Sequence, residues 1–437
     1  MSDKIVVVTS VLLLVILVFL ALNSDKMTGN AVSEACLPYS RTAMQVFNSN
    51  ENIKGKISIA AGDIDLNGYN DIVVGTGDVG GSKVRVFSIF AEKLLEFKAF
   101  NDNENPNGDV YVAVGDVDED RLNDIAVGSG LFSDSLIRVF DHDGDEFMEI
   151  SAFNSIENPN GKVSVAVADL DLDGKNEIIA GTGKAGKSRV KIFDNKGNLL
   201  NQFNAFSSQN SGGDVYVAAG DVVLDEKKEI IAGTGKAGTS RIAIFTDKGK
   251  KIKEFSAIKS RNGDVYVAAG DVVLGDKEEI IAGSGSNGNN AVVYDSNGRV
   301  LYSISPFNQG INPDGEVFVA SANLIGNKKN EIISATGLSG SSYIDITEIK
   351  CSIDLTCQDD DNDGSCYKHD CLDINRYIYP GAIELCDKLD NDCNDIIDEH
   401  CNQCIPFSEI CSDNVDNDCD GKIDCGDDNC IGFERCF

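Results

Sequence analysis

The chain has 437 residues and a mass of 46.7 kDa, long for one ordinary core, and 42% of it is apolar, which excludes wholesale disorder. Lys plus Arg number 38 against 71 Asp plus Glu. The formal charge of −33 argues against nucleic acid or an anionic membrane surface as a partner and favours cations. With 43 glycines and no tryptophan, the composition is turn-rich and suits an all-β fold better than a helical one.

The N-terminus carries an apolar run, Ile5 to Leu22, in which only Thr9 and Ser10 are polar. As a helix this run would span about 27 Å, close to the thickness of a bilayer core. Lys4 precedes it and no A-x-A site follows Leu22. Residues 1–23 are therefore expected to form an uncleaved transmembrane signal anchor, with a cleaved signal peptide as the alternative. Either way the bulk of the chain is expected outside the cytoplasm, single-pass at the cell membrane. Residues 24–40 read as a stalk, polar at its start and containing Cys36.

A repeat of about 52 residues follows, over 41–350. GDVYVA occurs at Gly108, Gly213 and Gly263, with weaker copies at Gly55, Gly161 and Gly315. A second element follows each copy, such as DIVVGTG at Asp71 or EIIAGTG at Glu177. The third resembles VRVF at Val84, and the fourth LLEFKAF at Leu94. Each is a short run of Val, Ile, Phe and Tyr between Gly, Asn and Asp, which is strand chemistry. Asp194–Gly197 and Asp295–Gly298 read as hairpin turns between third and fourth strands. Four strands per repeat and six repeats predict a six-bladed β-propeller.

The phase also predicts how the ring closes. Phe47-Asn48, Phe100-Asn101 and Phe153-Asn154 each stand eight residues before a repeat glycine. Arg41–Asn48 is then a fourth strand with no blade before it, whereas the sixth repeat stops after a third strand near Tyr343–Ile349. The N-terminal strand is expected to complete the last blade and remove its open edge. In that arrangement Cys36 lies near Cys351, and a disulfide there would lock the seam; a lipid-modified or intermolecular Cys36 is the alternative.

Between the first and second strands lies an acidic nonapeptide. The first copy offers Asp63, Asp65, Asn67 and Asp71. The second offers Asp116, Asp118, Asp120 and Asp124, and the third Asp169, Asp171, Asp173 and Glu177. Oxygen donors at positions 1, 3, 5 and 9, with a backbone carbonyl at 7, suit one hard cation of Ca²⁺ size. An EF-hand is excluded, because its acid at position 12 is Val74, Val127 and Ala180 here. The apolar residues between the acids are expected to point back into the sheet. A metal-free polar loop is the alternative. Position 3 is Val223, Val273 and Ile325 in the last three repeats, where no metal is expected.

These repeats resemble the FG-GAP family, seen in integrin α-chain propellers and in VCBS-type surface proteins. GTG or GSG stands where that family often has GAP. The resemblance implies a propeller stiffened by Ca²⁺ that binds ligands through loops on a face.

Composition shifts at Cys351. Residues 351–437 hold 13 of the 14 cysteines, which reads as a disulfide scaffold in an oxidising compartment. A zinc module is the weaker alternative, since only Cys401–Cys404 has paired spacing. Asp359, Asp361 and Asp363 form one acidic run. Asp390, Asp392, Asn394 and Asp398 form another, and Asp416, Asp418, Asp420 and Asp424 a third. The strings around Cys386 and Cys411 resemble the MopE-type metal-binding repeat. Carboxylates select hard cations, so Ca²⁺ is expected rather than copper; the whole chain has only His142, His369 and His400.

No G-x-S-x-G, H-E-x-x-H, P-loop or Rossmann fingerprint occurs. The expectation is thus an all-β chain: a six-bladed propeller closed by its N-terminal strand, with an N-terminal transmembrane helix and a small disulfide-rich, cation-binding C-terminal module. It would act as a membrane-tethered, non-catalytic surface binding or adhesion module for an extracellular protein or glycan. A lectin-like glycan binder, or a surface polysaccharide-active enzyme, is the alternative.

Overall fold

The computed structural model describes residues 35–352, apart from 208–209, 211, 224–226, 259–261, 274–276 and 326–328. The side chains of 35–43 and 350–352 are also outside the description. The described chain forms one compact unit of six four-stranded antiparallel sheets. Five of these are consecutive meanders, as in Ile57–Gly62, Asp71–Thr76, Lys83–Phe87 and Lys93–Lys98. This is the predicted six-bladed propeller, and its strands coincide with the repeated sequence elements.

Burial explains the sequence pattern within a blade. First strands of adjacent blades pack against one another around the axis, and second strands are buried at every position. With a blade on either side, both faces of these strands are covered, so they read as continuous apolar runs. The outer strand alternates, exposed outward and partly buried inward, as in Leu199–Asn204. The hairpin turns fall where expected: Gly197 N–H donates to the Asp194 carbonyl at 3.0 Å, with Gly197 at φ 81°.

The repeat glycines mark the seams between blades. Gly55 has φ 69°, and a Cβ there would stand 1.6 Å from the Gly340 carbonyl oxygen of the last blade. At Gly161 a Cβ would meet the Ser133 carbonyl oxygen at 2.1 Å. Only glycine permits both this backbone and this approach.

The ring closes as the phase predicts. The last sheet has the order N-terminal strand, Tyr343–Ser352, Glu331–Thr336, Val317–Ala322. The N-terminal strand runs Ala35–Gln45 rather than Arg41–Asn48. It starts earlier because its partner extends to Ser352, so residues expected in the stalk have a ladder to join. It stops earlier because Phe47 turns into the core and the Asn48 side chain caps the next turn, accepting from Asn50 N–H at 3.0 Å and Glu51 N–H at 3.1 Å. Cys36 and Cys351 lie on these neighbouring strands, but their side chains are outside those described. The expected anchor and the C-terminal module also fall outside the described residues. Among the described residues no helix is long and apolar enough to cross a membrane.

Candidate metal centres

Register places the acidic loops. The first two strands of blade 1 pair from Ile57↔Thr76 to Gly62↔Asp71, so Asp63 leaves one strand where Asp71 begins the other. The same ends recur at Gly115↔Asp124 and Ala168↔Glu177. Positions 1 and 9 of each loop are thereby anchored on the sheet, and position 3 hangs between them.

Three carboxylates converge in each of these loops. Asp63, Asp65 and Asp71 offer oxygens within 4.8 Å of one another, as do Asp116, Asp118 and Asp124, and Asp169, Asp171 and Glu177. In every group position 9 is buried, position 3 exposed and position 1 intermediate. Among the described residues no base forms an ion pair with any of these acids. The nearby Lys175 turns away to Glu119 of the preceding blade, at 2.6 Å.

Position 5 behaves otherwise. Asn67, Asp120 and Asp173 cap the loop backbone, accepting from the N–H of Tyr69, Leu122 and Lys175 at 2.8, 2.7 and 2.9 Å. Asp120 and Asp173 stand outside the converged groups. The apolar residues also divide. Ile64, Val117 and Leu170 at position 2 are buried, as expected, but Leu66 and Leu172 at position 4 are 61% and 50% exposed. The tight turn over position 5 reverses the chain and points position 4 to solvent, with Leu66 at φ 58° and Leu172 at φ 65°.

The buried acid at position 9 has a second role. Asp71 accepts from Ile64 N–H at 3.0 Å, Asp124 from Val117 N–H at 2.7 Å, and Glu177 from Leu170 N–H at 2.9 Å. Burial, with other loop carboxylates adding to it, pushes Asp71 and Asp124 up to about 6 and Glu177 up to about 7. A cation would relieve that crowding. Three oxygen-only donor groups of this kind fit a hard cation.

The Cu-binding MopE family, described as "Putative metal-binding motif", matches residues 370–399 and 407–425. That span contains Asp390, Asp392, Asn394, Asp398, Asp416, Asp418, Asp420 and Asp424. Asp359, Asp361 and Asp363 precede it, and all eleven lie outside the described residues. No curated protein matches the chain in sequence. Among solved structures, the chain is similar to a streptogramin B lyase at 13% identity, covering 72% of this chain and 98% of that one, with a TM-score of 0.44. It is similar to BBS1N, crystallised in complex with ARL6DN, at 14% identity, covering 72% and 98%, with a TM-score of 0.42. A third likeness is to the V. cholerae biofilm matrix protein Bap1 at 19% identity, covering 57% and 39%, with a TM-score of 0.34. Similarity at this level transfers no function.

Among the described residues, the last three loops keep the position-9 acid without a converged group. Glu229, Glu279 and Glu331 accept from Val222, Val272 and Leu324 N–H at 3.1, 3.0 and 2.8 Å. In blade 5 an ammonium stands on the position-1 acid: Lys329 Nζ bridges Asp271 at 2.7 Å.

Sequence reading missed two sets of structural residues. At position 8, Asn123 and Asn176 donate to the Asp63 and Asp116 carbonyls of the preceding blade at 3.0 and 2.7 Å. Asn70 does the same to Asn323 across the closing seam at 2.9 Å. The recurrence of Asn at that position was the available signal. The F-N-x-x-E-N string is also a latch. Arg85 lies over Phe47 at 4.5 Å and bridges Glu51 at 2.6 Å, and Arg138 lies over Phe100 at 5.1 Å and bridges Glu104 at 3.1 Å. The guanidinium holds Glu51 well down, at about 2.

Proposed function

We propose that this chain is a Ca²⁺-stiffened propeller of FG-GAP/VCBS type, tethered by its N-terminal segment and exposed outside the cytoplasm, where it serves as a non-catalytic binding module for a protein or glycan partner. The observation that carries the reading is the recurrence of one carboxylate group, at one loop position, in three successive blades. The metal-binding motif over 370–425 adds a second cation-binding region to the same chain. Multiple cation sites in a rigid ring suit an environment where Ca²⁺ is abundant, since extracellular sites often bind at about 10⁻⁴–10⁻³ M.

Calorimetric titration of the full chain with Ca²⁺ tests the metal part. At least three equivalents are expected, and Asp65→Ala, Asp118→Ala and Asp171→Ala should each remove one. Protease added to intact cells tests the location, with cleavage of the propeller expected. Capture of partners on the Ca²⁺-loaded chain, beside a glycan array, separates protein from glycan ligands. A propeller wholly protected in intact cells would end the surface reading, whatever the metal result.

A further inference from the structure

The end of the ring opposite the cation loops carries a second built site, set by the residue that follows each repeat glycine. These six are Lys56, Asp109, Lys162, Asp214, Asp264 and Glu316. They begin the axial strands, about 20 Å from the metal loops at the far ends of the same strands. Charged groups are seldom buried without purpose or partner, yet Asp109, Lys162, Asp214 and Asp264 are 1–4% exposed. All of the six except Asp109 line a cavity of ≈ 240 Å³ on the axis. At about 30 Å³ per water, it has room for about eight waters.

Aromatic rings two residues further along the strands close its floor. Tyr216 and Tyr266 meet edge to face at 4.5 Å, and Tyr266 stacks on Phe318 at 3.8 Å.

Part of the charge in this cavity is matched internally. Lys162 Nζ reaches Asp214 at 3.3 Å and the Tyr216 hydroxyl at 2.9 Å, and Lys56 Nζ lies 3.8 Å from Asp78. Three lining groups form no ion pair among the described residues. Glu316 accepts there from neutral donors, the Tyr266 hydroxyl at 3.0 Å and Leu338 N–H at 2.8 Å. Lys184 and Lys236, at the mouth, have no acidic partner among the described residues. Both of these lysines belong to blades 3 and 4, whereas Glu316 begins blade 6. In a six-membered ring, blade 3 stands opposite blade 6.

We propose that this axial cavity binds a small zwitterion of the α-amino-acid class, its carboxylate toward Lys184 and Lys236 and its ammonium toward Glu316. Charge-assisted hydrogen bonds at both ends supply the selectivity, since a ligand with only one charge leaves the other wall unmatched. A neutral sugar matches neither wall. This site is separate from the cation loops and goes beyond the binding-module reading.

Calorimetric titration of the full chain at saturating Ca²⁺ tests the assignment. The probes are alanine and leucine as zwitterions, acetate as carboxylate alone, ethylamine as amine alone, and glucose as neutral polyol. At least one amino acid is expected to bind about tenfold tighter than acetate, ethylamine and glucose. Lys184→Gln with Lys236→Gln should abolish that preference. Both positions are exposed, so the variant keeps its fold. Glu316→Gln should weaken amino acid binding about tenfold while leaving acetate unchanged. Lys248→Gln, at the metal-loop end, is the control and should change nothing. Glucose binding as tightly as either amino acid, no heat from any probe at 50 mM (about a hundredfold above a typical weak site), or an unchanged affinity in the Lys184/Lys236 double variant would each overturn the proposal.

Discussion

Blades 1–3 and blades 4–6 share a backbone and differ in how their acidic loops meet charge. All six begin the second strand with a buried carboxylate that accepts from a loop N–H, Asp71 and Glu331 alike. Only the first three add acids at positions 1 and 3 that converge on it among the described residues. In blade 5 a lysine from the next blade stands at position 1. The position-9 acid is thus part of the scaffold, and the other two complete the carboxylate group proposed to hold a cation. A repeat can lose that group without losing its shape, because the hydrogen bond that shapes the loop is made in blades with and without it.

The sharpest way to break this comparison is to remove the shared acid. Asp124→Ala and Glu331→Ala should each cost about 2–4 kcal/mol in chelator, since each orphans buried backbone donors. The two melting temperatures, read by calorimetry, should fall together. Only Asp124→Ala should also blunt the response to Ca²⁺. A harmless Glu331→Ala would refute the scaffold role.

Next in size is the metal itself. With dissociation constants of about 0.1–1 mM, 5 mM Ca²⁺ should stabilise the native state by roughly 1–2 kcal/mol per site through mass action. Asp65→Ala, Asp118→Ala and Asp171→Ala should each remove one such increment from the thermal shift. Asp143→Asn, on an exposed turn at the same end of blade 2, should remove none. Equal losses at all four positions would reduce the effect to general charge.

A smaller effect lies in pH. A carboxyl whose folded value is raised contributes stability that is complete below its unfolded value and is lost as pH rises through the folded one. Asp71 and Asp124 at about 6, and Glu177 and Glu279 at about 7, place that loss between about pH 4 and 7. The chelated protein should therefore melt progressively lower across that window. Ca²⁺ should flatten the part owed to blades 1–3, and the share of Glu279 in blade 5 should persist. A chelated melting temperature that rises with pH would contradict the burial of these acids.

The smallest expected change is at Lys329. Lys329→Gln should cost under about 1 kcal/mol, because its pair with Asp271 is partly solvated, and the difference should shrink with salt. A cost insensitive to salt would mean that the lysine packs rather than pairs.

Much of this molecule was legible from residue order. Short runs of Val, Ile, Phe and Tyr bounded by Gly, Asn and Asp marked the strands, and the offset of Phe47-Asn48 marked the closing strand. The spacing of Asp63, Asp65 and Asp71 marked a donor set that does converge. Other features were not legible. Asn67 and Leu66 sit in the same loop, yet one caps backbone and the other faces solvent, because a turn rather than alternation orients them. The end of the first strand at Gln45 followed from where Phe47 could be buried, which no local pattern states.

Local periodicity therefore carried the strands, the blade count, the seam and the acidic loops, since each depends on residues close in sequence or at a constant repeat distance. The ring brings together residues that share only a repeat position. Lys162, Asp214, Asp264 and Glu316 are separated by 50 residues or more at each step and look like ordinary strand-end charges one at a time. Their meeting on one axis, with Glu316 facing the side of Lys184 and Lys236, follows from the closure of six blades into a circle. Closure is a property of twist and packing summed over the whole fold, so folding alone sets which charges face one another across the cavity.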